Sequence, residues 1–265
     1  MAIEMKGVGF DAATGTLLHD LDLRIETGSS VLLMGPSGSG KTLLLKIMAG
    51  IIPPTRGDVL FDGNSFAHMS DREINRERLR TGFVFQDAAL WQNLSVYANL
   101  SLATSHHFPK KSAAEIRETI ERLCRRMDYR EDLQQRPALL SAGERKVASI
   151  IRALMLDPEY LFMDEPSGAL DSRGSERLID VLKEKKSMGK TMVIAGHDEK
   201  IASLIADSII VIDDGQLLAF DTVQNLVRTE DKRVREILAD VFDLSSTYDT
   251  DILDILGSGD ADPFG

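Results

Sequence analysis

One stretch near the start of the chain combines glycines, a lysine and a hydroxyl side chain. It consists of Gly35, Pro36, Ser37, Gly38, Ser39, Gly40, Lys41 and Thr42, which satisfies the pattern G-x-x-x-x-G-K-[ST]. Glycines free backbone N–H groups to surround phosphate oxygens, the lysine reaches the β- and γ-phosphates, and the last hydroxyl binds Mg²⁺. We call this stretch the P-loop, and it predicts a site for a nucleoside triphosphate and Mg²⁺.

Two adjacent carboxylates, Asp164 and Glu165, follow an apolar run at residues 160–163. A hard cation takes oxygen ligands, so Asp164 can hold Mg²⁺ directly or through water. Glu165 can then act as general base toward an attacking water molecule. An exposed acidic loop is the alternative, and the apolar strand and the preceding P-loop disfavour it.

These side chains need strands and helices that bring them together. Residues 30–34 are a short apolar run typical of a buried strand, and residues 43–50 are apolar on most sides and end in a glycine, as a buried helix does. Strand, loop and helix in that order are the context that the phosphate motif requires. A glycine-rich turn with a chance lysine fits this context poorly.

The rest of the chain divides by pattern into three regions. Residues 1–86 and 157–225 contain short strands, which alternate with helices in the second segment as parallel α/β units do. We expect the strands of residues 1–30 to pair antiparallel beside the P-loop strand. Residues 87–156 have helical patterns, including a capping box at Ser112 and Glu115, and form a helical insertion. Residues 226–265 are an acidic extension.

Composition limits the classes of protein to which the chain can belong. The 265 residues are 43% hydrophobic and 28% charged, which is ordinary for a globular protein with a large core. No apolar run approaches the roughly 20 residues of a membrane-spanning helix, and the N-terminus lacks the apolar core of a signal peptide. Cys124 is the only cysteine, so a reducing compartment such as the cytoplasm is expected. The net charge of −11 argues against nucleic acid as the main partner.

The extension leaves two alternatives open. A helix is expected to begin near Asp231, and no lysine or arginine follows Arg235. A solvated acidic terminus is the simpler interpretation. An apolar patch within it favours docking onto another surface instead, and the patch consists of Ile252, Leu253, Ile255 and Leu256.

Three further motifs follow in order. They are Leu140-Ser141-Ala142-Gly143-Glu144 at the start of a helix, Ser167-Gly168-Ala169-Leu170-Asp171 after the carboxylate pair, and Ala195-Gly196-His197-Asp198 at the end of the next strand. With the P-loop and Asp164, they make the chain resemble the ATP-binding subunits of ATP-binding cassette (ABC) transporters over nearly all of residues 1–225. The resemblance implies a P-loop NTPase (RecA-like) α/β core, with an N-terminal antiparallel β-subdomain and an inserted α-helical subdomain.

The resemblance also implies roles for residues that carry little signal alone. Gln86 resembles the residue that contacts Mg²⁺ and the attacking water, and His197 resembles the one that contacts the γ-phosphate. Ser141 and Gly143 would bind the γ-phosphate of ATP held by a second copy of the chain, since a helix N-terminus favours anions. Asp171 would lie at the seam of that dimer. ATP and Mg²⁺ are the implied cofactors.

The chain departs from the family pattern at three positions. Ala142 and Glu144 replace the usual glycine and glutamine, and the negative charge of Glu144 would lie near phosphate. Ala12 stands where the family stacks an aromatic ring on adenine. Phe10 is then the candidate for the adenine contact.

A subgroup is indicated by residues 85–99 and 231–238, which look like the ATPases of Mla-type lipid transporters that work with MCE proteins. The likeness implies two membrane-spanning permease subunits, an MCE-type substrate-binding protein and a small cytoplasmic regulatory subunit as partners. It implies a location at the cytoplasmic face of the inner membrane. Trp91 fits either a core position or an exposed surface that receives a permease helix.

Two rival functions belong to other classes. A cytoplasmic ABC protein of DNA repair or of ribosomes usually has a long coiled coil or two cassettes, and the sequence has neither. A regulatory cassette of the cell-division type, which signals without moving a substrate, remains open, as does a transporter subunit for another substrate.

Overall fold

A computed structural model of the chain describes residues 2–242. It contains two β-sheets and a set of helices that lie between the sixth and seventh strands in sequence. The strands are β1 Ala2–Ala12, β2 Gly15–Glu26, β3 Ser30–Met34, β4 Arg56–Phe61, β5 Asn64–Ser65, β6 Thr81–Val84, β7 Tyr160–Asp164, β8 Thr191–Ala195, β9 Ser208–Asp213 and β10 Gln216–Thr222. The helices are α1 Lys41–Met48, α2 Asp71–Arg80, α3 Val96–His107, α4 Ala113–Arg126, α5 Ala142–Leu154, α6 Ser172–Ser187, α7 Glu199–Leu204, α8 Val223–Val227 and α9 Lys232–Leu238.

The first sheet is antiparallel, in the order β2-β1-β4-β5. Ile3 of β1 lies opposite Ile25 of β2 on one side and Phe61 of β4 on the other. The expectation that the N-terminal strands lie beside the P-loop strand is wrong, because they form this separate sheet. Strand β2 alternates between exposed residues and buried Leu21, Leu23 and Ile25, so it has one apolar face and covers the core from outside.

The second sheet has the order β10-β9-β3-β8-β7-β6 and is parallel except at the β9–β10 hairpin. All five residues of β3 are buried, as are all five of β7 and of β8. Continuous apolar strands suit the middle of a parallel sheet that is covered on both faces. The carboxyl ends of these strands meet at one edge, which is where open α/β sheets bind ligands.

Hydrophobic side chains form two clusters, one on each side of the second sheet. One cluster joins the first sheet and α1 to alternate residues of β3, with Leu33 and Leu45 fully buried. The other cluster joins the opposite face to α4, α5 and α6 and extends to α9. The capping box predicted at Ser112 and Glu115 starts α4, and it is present in the structure.

The C-terminal part of the described chain packs against the core. Asp231 caps α9, and Val234, Leu238 and Phe242 are buried in the second cluster. The apolar patch predicted to dock, residues 252–256, lies outside the described residues. Within residues 2–242, none of the helices combines the length and the apolar character that crossing a membrane requires.

Candidate functional site

The P-loop curls tightly at the carboxyl end of β3. Gly40 caps α1 with φ 100°, and a Cβ atom there would lie 2.9 Å from Leu18 Cδ2 of the first sheet. A Cβ atom at Gly35 would collide with the carbonyl oxygen of Ile212 in β9. Glycine is therefore required by backbone conformation at one position and by close approach at the other. The loop directs the N-terminus of α1 toward the edge where the strands end.

Lys41 lies in the concave side of this loop. Its Nζ atom donates to the carbonyl oxygens of Gly35 at 2.7 Å and Pro36 at 2.9 Å. Burial lowers the pKa of Lys41, and the negative charges of Glu165 and Asp164 oppose that shift. The lysine is thus held within the loop and remains attracted to the carboxylate pair.

The P-loop and the carboxylates meet at Thr42. Its Oγ1 atom donates to Asp164 Oδ2 at 2.8 Å, and Asp164 is 3% exposed at the end of β7. Among the described residues there is no group of three or more His, Cys, Asp and Glu side chains suited to a metal. Two protein oxygen atoms still fit Mg²⁺, which takes its other ligands from water and substrate phosphates. Ser39 Oγ is also buried without a hydrogen-bond partner in residues 2–242, which leaves a polar atom beneath the loop.

Glu165 adopts a backbone conformation that is unusual for a residue with a side chain. Its φ is 46°, and its N–H donates to the carbonyl oxygen of Ala195 at the end of β8, at 2.9 Å. Its Oε1 atom lies 3.4 Å from Nδ1 of His197, whose side chain is 76% exposed. A Cβ atom at Gly196 would lie 3.3 Å from Glu165 Oε2, so the lack of a side chain there leaves room for the carboxylate. The ends of β7 and β8 thus bring Glu165 and His197 together.

Gln86 lies beyond the end of its strand. Strand β6 ends at Val84, two residues before Gln86. The carbonyl oxygens of Phe85 and Gln86 accept hydrogen bonds from Lys146 Nζ at 3.0 and 2.7 Å. The carbonyl groups just after β6 are thus bonded to a side chain of α5.

Lys146 is a residue that sequence reasoning missed. It is 2% exposed on α5, and burial lowers its pKa while the charges of Asp164, Asp87 and Glu165 oppose the shift. The signal was present in the sequence, because Lys146 shares a helix face with apolar Ile150. A lysine on a buried stripe needs a polar partner.

The predicted trans residues lie on a different cavity. Ser141, Gly143 and Asp171 line a cavity of about 580 Å³ between the start of α5 and the start of α6. Asp171 Oδ1 accepts from the N–H of Gly174 at 2.7 Å and so caps α6. A Cβ atom at Gly143 would lie 2.9 Å from the carbonyl oxygen of Ala169, so α5 approaches the loop before Asp171 closely.

Glu144 has a structural role at the same place. Its carboxylate accepts from the N–H of Ser141 at 2.6 Å, and its own N–H donates to Ser141 Oγ at 3.2 Å. These hydrogen bonds form a capping box and hold the pKa of Glu144 below its usual value. The negative charge expected to disturb the site is therefore a helix cap, with the carboxylate ionised.

Phe10 lies in the first sheet near the P-loop. It is partly buried and pairs with Leu18, the residue that approaches Gly40. Residues directly opposite in an antiparallel pair have their side chains on the same face. Ala12 pairs with Gly15 at the end of the hairpin. Phe10 is thus the aromatic residue of β1 that the fold places beside the loop.

Comparisons with known proteins agree on one family. The family profile described as ABC transporter matches residues 18–168. The chain is 30% identical over 239 residues to the intermembrane phospholipid transport system ATP-binding protein MlaF of Haemophilus influenzae, covering 89% of each chain. It is 32% identical over 253 residues to the sulfate/thiosulfate import ATP-binding protein CysA of Escherichia coli, covering 93% of this chain and 67% of CysA.

Solved structures give the same result. The fold is similar to a dimeric post-hydrolysis state of the ATP-binding cassette MJ0796 bound to ADP and Pi, with a TM-score of 0.78 and 29% identity. That match covers 83% of this chain and 98% of the other. The α/β fold expected from the sequence is confirmed.

Proposed function

The chain belongs to the ABC transporter family of ATP-binding, ATP-hydrolysing subunits, and from this premise we propose that it drives lipid movement by membrane-spanning partners. The observation that carries the proposal is the Thr42–Asp164 hydrogen bond of 2.8 Å, with Glu165 next to it at the mouth of the P-loop. This bond places the Thr42 hydroxyl and the Asp164 carboxylate, which both suit Mg²⁺, next to Glu165. The carboxylate of Glu165 can then act as the base. The lipid is supported by the likeness to MlaF, while CysA is named for sulfate import.

Each residue at the strand ends has a role in this proposal. Lys41 and the P-loop amides bind the phosphates. Thr42, Asp164 and Gln86 would hold Mg²⁺, which would offset phosphate charge. Glu165 accepts a proton from the attacking water. His197 lies beside Glu165 and contacts the γ-phosphate. Phe10 provides the apolar contact for adenine.

A second copy of the chain completes each site. The N-terminus of α5 at Ser141 and Gly143 opens onto the cavity beside Asp171, and helix N-termini favour anions. We assign this surface to the partner copy's ATP, with two nucleotides between the copies. ATP then stabilises the closed dimer and hydrolysis releases it. Asp171 lies at the seam.

A groove on the helical region supports a membrane partner. It is about 330 Å³ in volume and is lined by Trp91, Leu102 and His106, with Trp91 59% and Leu102 46% exposed. Asn99 fixes the backbone of Trp91, since its Oδ1 accepts from the Trp91 N–H at 2.7 Å and its Nδ2 donates to the Trp91 carbonyl at 3.1 Å. An exposed aromatic on a fixed backbone suits the reception of an amphipathic permease helix.

The proposal includes the organisation of the chain. Residues 1–86 and 157–225 form the ATP-binding core, residues 87–156 form the helical subdomain, and residues 226–265 form an extension. The assembly lies at the cytoplasmic face of the inner membrane and contains two permease subunits. An MCE-type protein and a small regulatory subunit complete it.

Co-purification from native membranes tests the transport proposal. The full chain should recover a permease and an MCE-type protein, identified by mass spectrometry. Trp91→Ala should lower that recovery severalfold and leave ATP binding unchanged, whereas Met188→Ala, a matched change at a residue 56% exposed after α6, should leave recovery unchanged. Recovery of a sulfate permease or of cell-wall hydrolase regulators would contradict lipid transport.

A further inference from the structure

Helix α5 carries a buried cation that none of the roles above uses. Lys146 is 2% exposed, and its only described hydrogen-bond acceptors are the carbonyl oxygens of Phe85 and Gln86, at 3.0 and 2.7 Å. A desolvated ammonium group is costly unless hydrogen bonds replace its water. Lys146 and the segment that contains Gln86 therefore hold each other in place.

The segment adopts a conformation that other contacts must maintain. Ala88 and Ala89 have φ of 66° and 45°, the left-handed region that residues with a Cβ atom disfavour. Arg152, near the end of α5, donates from Nη2 to the carbonyl oxygen of Ala88 at 3.0 Å and from Nη1 to that of Ala89 at 2.6 Å. Such backbone persists only where its surroundings determine it. One helix supplies these surroundings through two cationic side chains.

The same helix begins at the surface assigned to the partner copy. Ser141 caps α5, which at 13 residues is about 20 Å long. Because backbone hydrogen bonds join successive turns of the helix, a displacement of Ser141 would be carried to Lys146. Lys146 then passes the displacement to the backbone of Gln86 through a 2.7 Å hydrogen bond.

We propose that Lys146 is a positioning residue of the hydrolytic site, which fixes Gln86 relative to α5 so that its side chain meets Mg²⁺ and the attacking water. The proposal rests on the role given to Gln86 under the proposed function. Lys146 acts through the backbone of Gln86, since its described hydrogen bonds go to the carbonyl oxygens of Phe85 and Gln86. It couples the binding of the second copy at Ser141 to the position of Gln86 in the hydrolytic site of its own chain.

A double-mutant cycle on the full chain tests this link. The variants are Lys146→Met, Gln86→Ala and the pair, with ATP turnover at saturating ATP and Mg²⁺ as the readout. Methionine is flexible and apolar and fills the buried space without donating a hydrogen bond. Each single variant should lose about 10- to 100-fold in turnover, since small misplacements have effects of this size. The pair should be no slower than Gln86→Ala alone.

Two further readouts separate positioning from a structural role. Lys146→Met should raise the Mg²⁺ concentration for half-maximal turnover and leave the Kd for ATP unchanged. Lys146→Gln keeps a donor and should regain part of the turnover. If Lys146→Met does not fold, Lys146→Gln takes its place in the cycle, with a smaller loss and the same lack of additivity.

Defined outcomes would overturn the proposal. Full turnover of Lys146→Met would do so, as would losses that multiply in the double variant. Glu165→Gln serves as an independent check on the site. If Glu165→Gln turned over at the normal rate, the assigned base would be wrong, and the Lys146–Gln86 cycle could still be interpreted by itself.

Discussion

Thr42 and Asp164 are 122 positions apart in the sequence, and their side chains share a hydrogen bond of 2.8 Å. Thr42 is in the first turn of α1 and Asp164 ends β7, so the bond ties the phosphate loop to the strand that Glu165 follows. Asp164 is 3% exposed, and a buried carboxylate needs such a partner. The position of Glu165 relative to the P-loop therefore depends on this contact.

Glu165→Gln should retain ATP binding and trap a dimer. Glutamine keeps the size of the side chain and cannot accept the proton of the attacking water, so turnover should fall by about 10²- to 10⁴-fold. Size-exclusion chromatography with ATP and Mg²⁺ measures the dimer, and phosphate release measures turnover.

The matched control for this change is Glu199→Gln. Glu199 is an exposed glutamate at the start of α7, close to His197 in sequence. That variant should behave as the unaltered protein does. A Glu165→Gln protein that remained monomeric with ATP would count against Glu165 as the base.

Ser141→Arg should abolish turnover and leave the ATP affinity of the monomer nearly unchanged. The reason is that Ser141 borders the cavity beside Asp171 and is assigned to the nucleotide of the other copy. Titration calorimetry on dilute protein gives the affinity, and phosphate release gives the turnover. Mixing Ser141→Arg with Glu165→Gln protein provides the control, because a mixed dimer has one site with both groups intact. Equal loss of affinity and turnover would refute completion of the site in trans.

Glu144→Gln should strengthen the ATP-dependent dimer and leave the melting temperature unchanged. Glutamine can still complete the capping box with Ser141, so the helix start is preserved. The change removes a negative charge beside the surface assigned to phosphate. Glu144→Ala is the comparison, since it also removes the acceptor of the Ser141 N–H, and it should lower stability by about 0.5–1.5 kcal/mol, the net contribution of one hydrogen bond. Weaker dimerisation of Glu144→Gln would show that the carboxylate itself is needed.

The depressed pKa of Glu144 sets the sign of a pH effect. Hydrogen bonds from Ser141 to the carboxylate stabilise the ionised form, so the capping contribution is present above the usual carboxyl pKa and is lost as pH falls through the lower folded-state pKa. The Tm difference between Glu144→Ala and the unaltered protein should therefore shrink as the solution is acidified below about pH 4. Differential scanning fluorimetry across that range measures it. A difference that grew on acidification would contradict the assignment of the ionised cap.

The sequence predicted well those features that local pattern determines. The P-loop between β3 and α1, the capping box at Ser112 and the carboxylates after β7 all depend on neighbours in the chain. Such features follow from periodicity and side-chain chemistry within a few residues.

Features that depend on distant partners were missed. Alternation along β2 indicates an apolar face and does not show which strands pair with it. The antiparallel N-terminal subdomain is confirmed, whereas its strands lie in a sheet of their own rather than beside β3. The sequence does not identify the acceptors of Lys146, because Phe85 and Gln86 lie about 60 residues earlier in the chain. The family pattern predicts a charge near phosphate at Glu144, and the structure shows that this carboxylate is hydrogen-bonded to Ser141 in a capping box.

Two truncations should separate the roles of the C-terminal extension. Deletion from Thr229 removes α9 and leaves uncovered the core residues that Val234, Leu238 and Phe242 contact. Since full burial of each such side chain contributes about 1.5–3 kcal/mol, the shortened chain should lose several kcal/mol of stability and accumulate poorly. Deletion from Asp243 removes only residues beyond the described part, and it should leave Tm and ATP binding unchanged.

The second truncation decides what the acidic segment does. If residues 243–265 brace a partner, their removal should reduce recovery of the membrane complex while the isolated subunit keeps its ATP affinity. The control is Leu238→Ala in the full chain, which should lower stability by about 2–5 kcal/mol through a buried cavity and retain the segment. Unchanged complex recovery after deletion from Asp243 would favour the solvated terminus, because an acidic segment that binds nothing can be removed without effect on assembly.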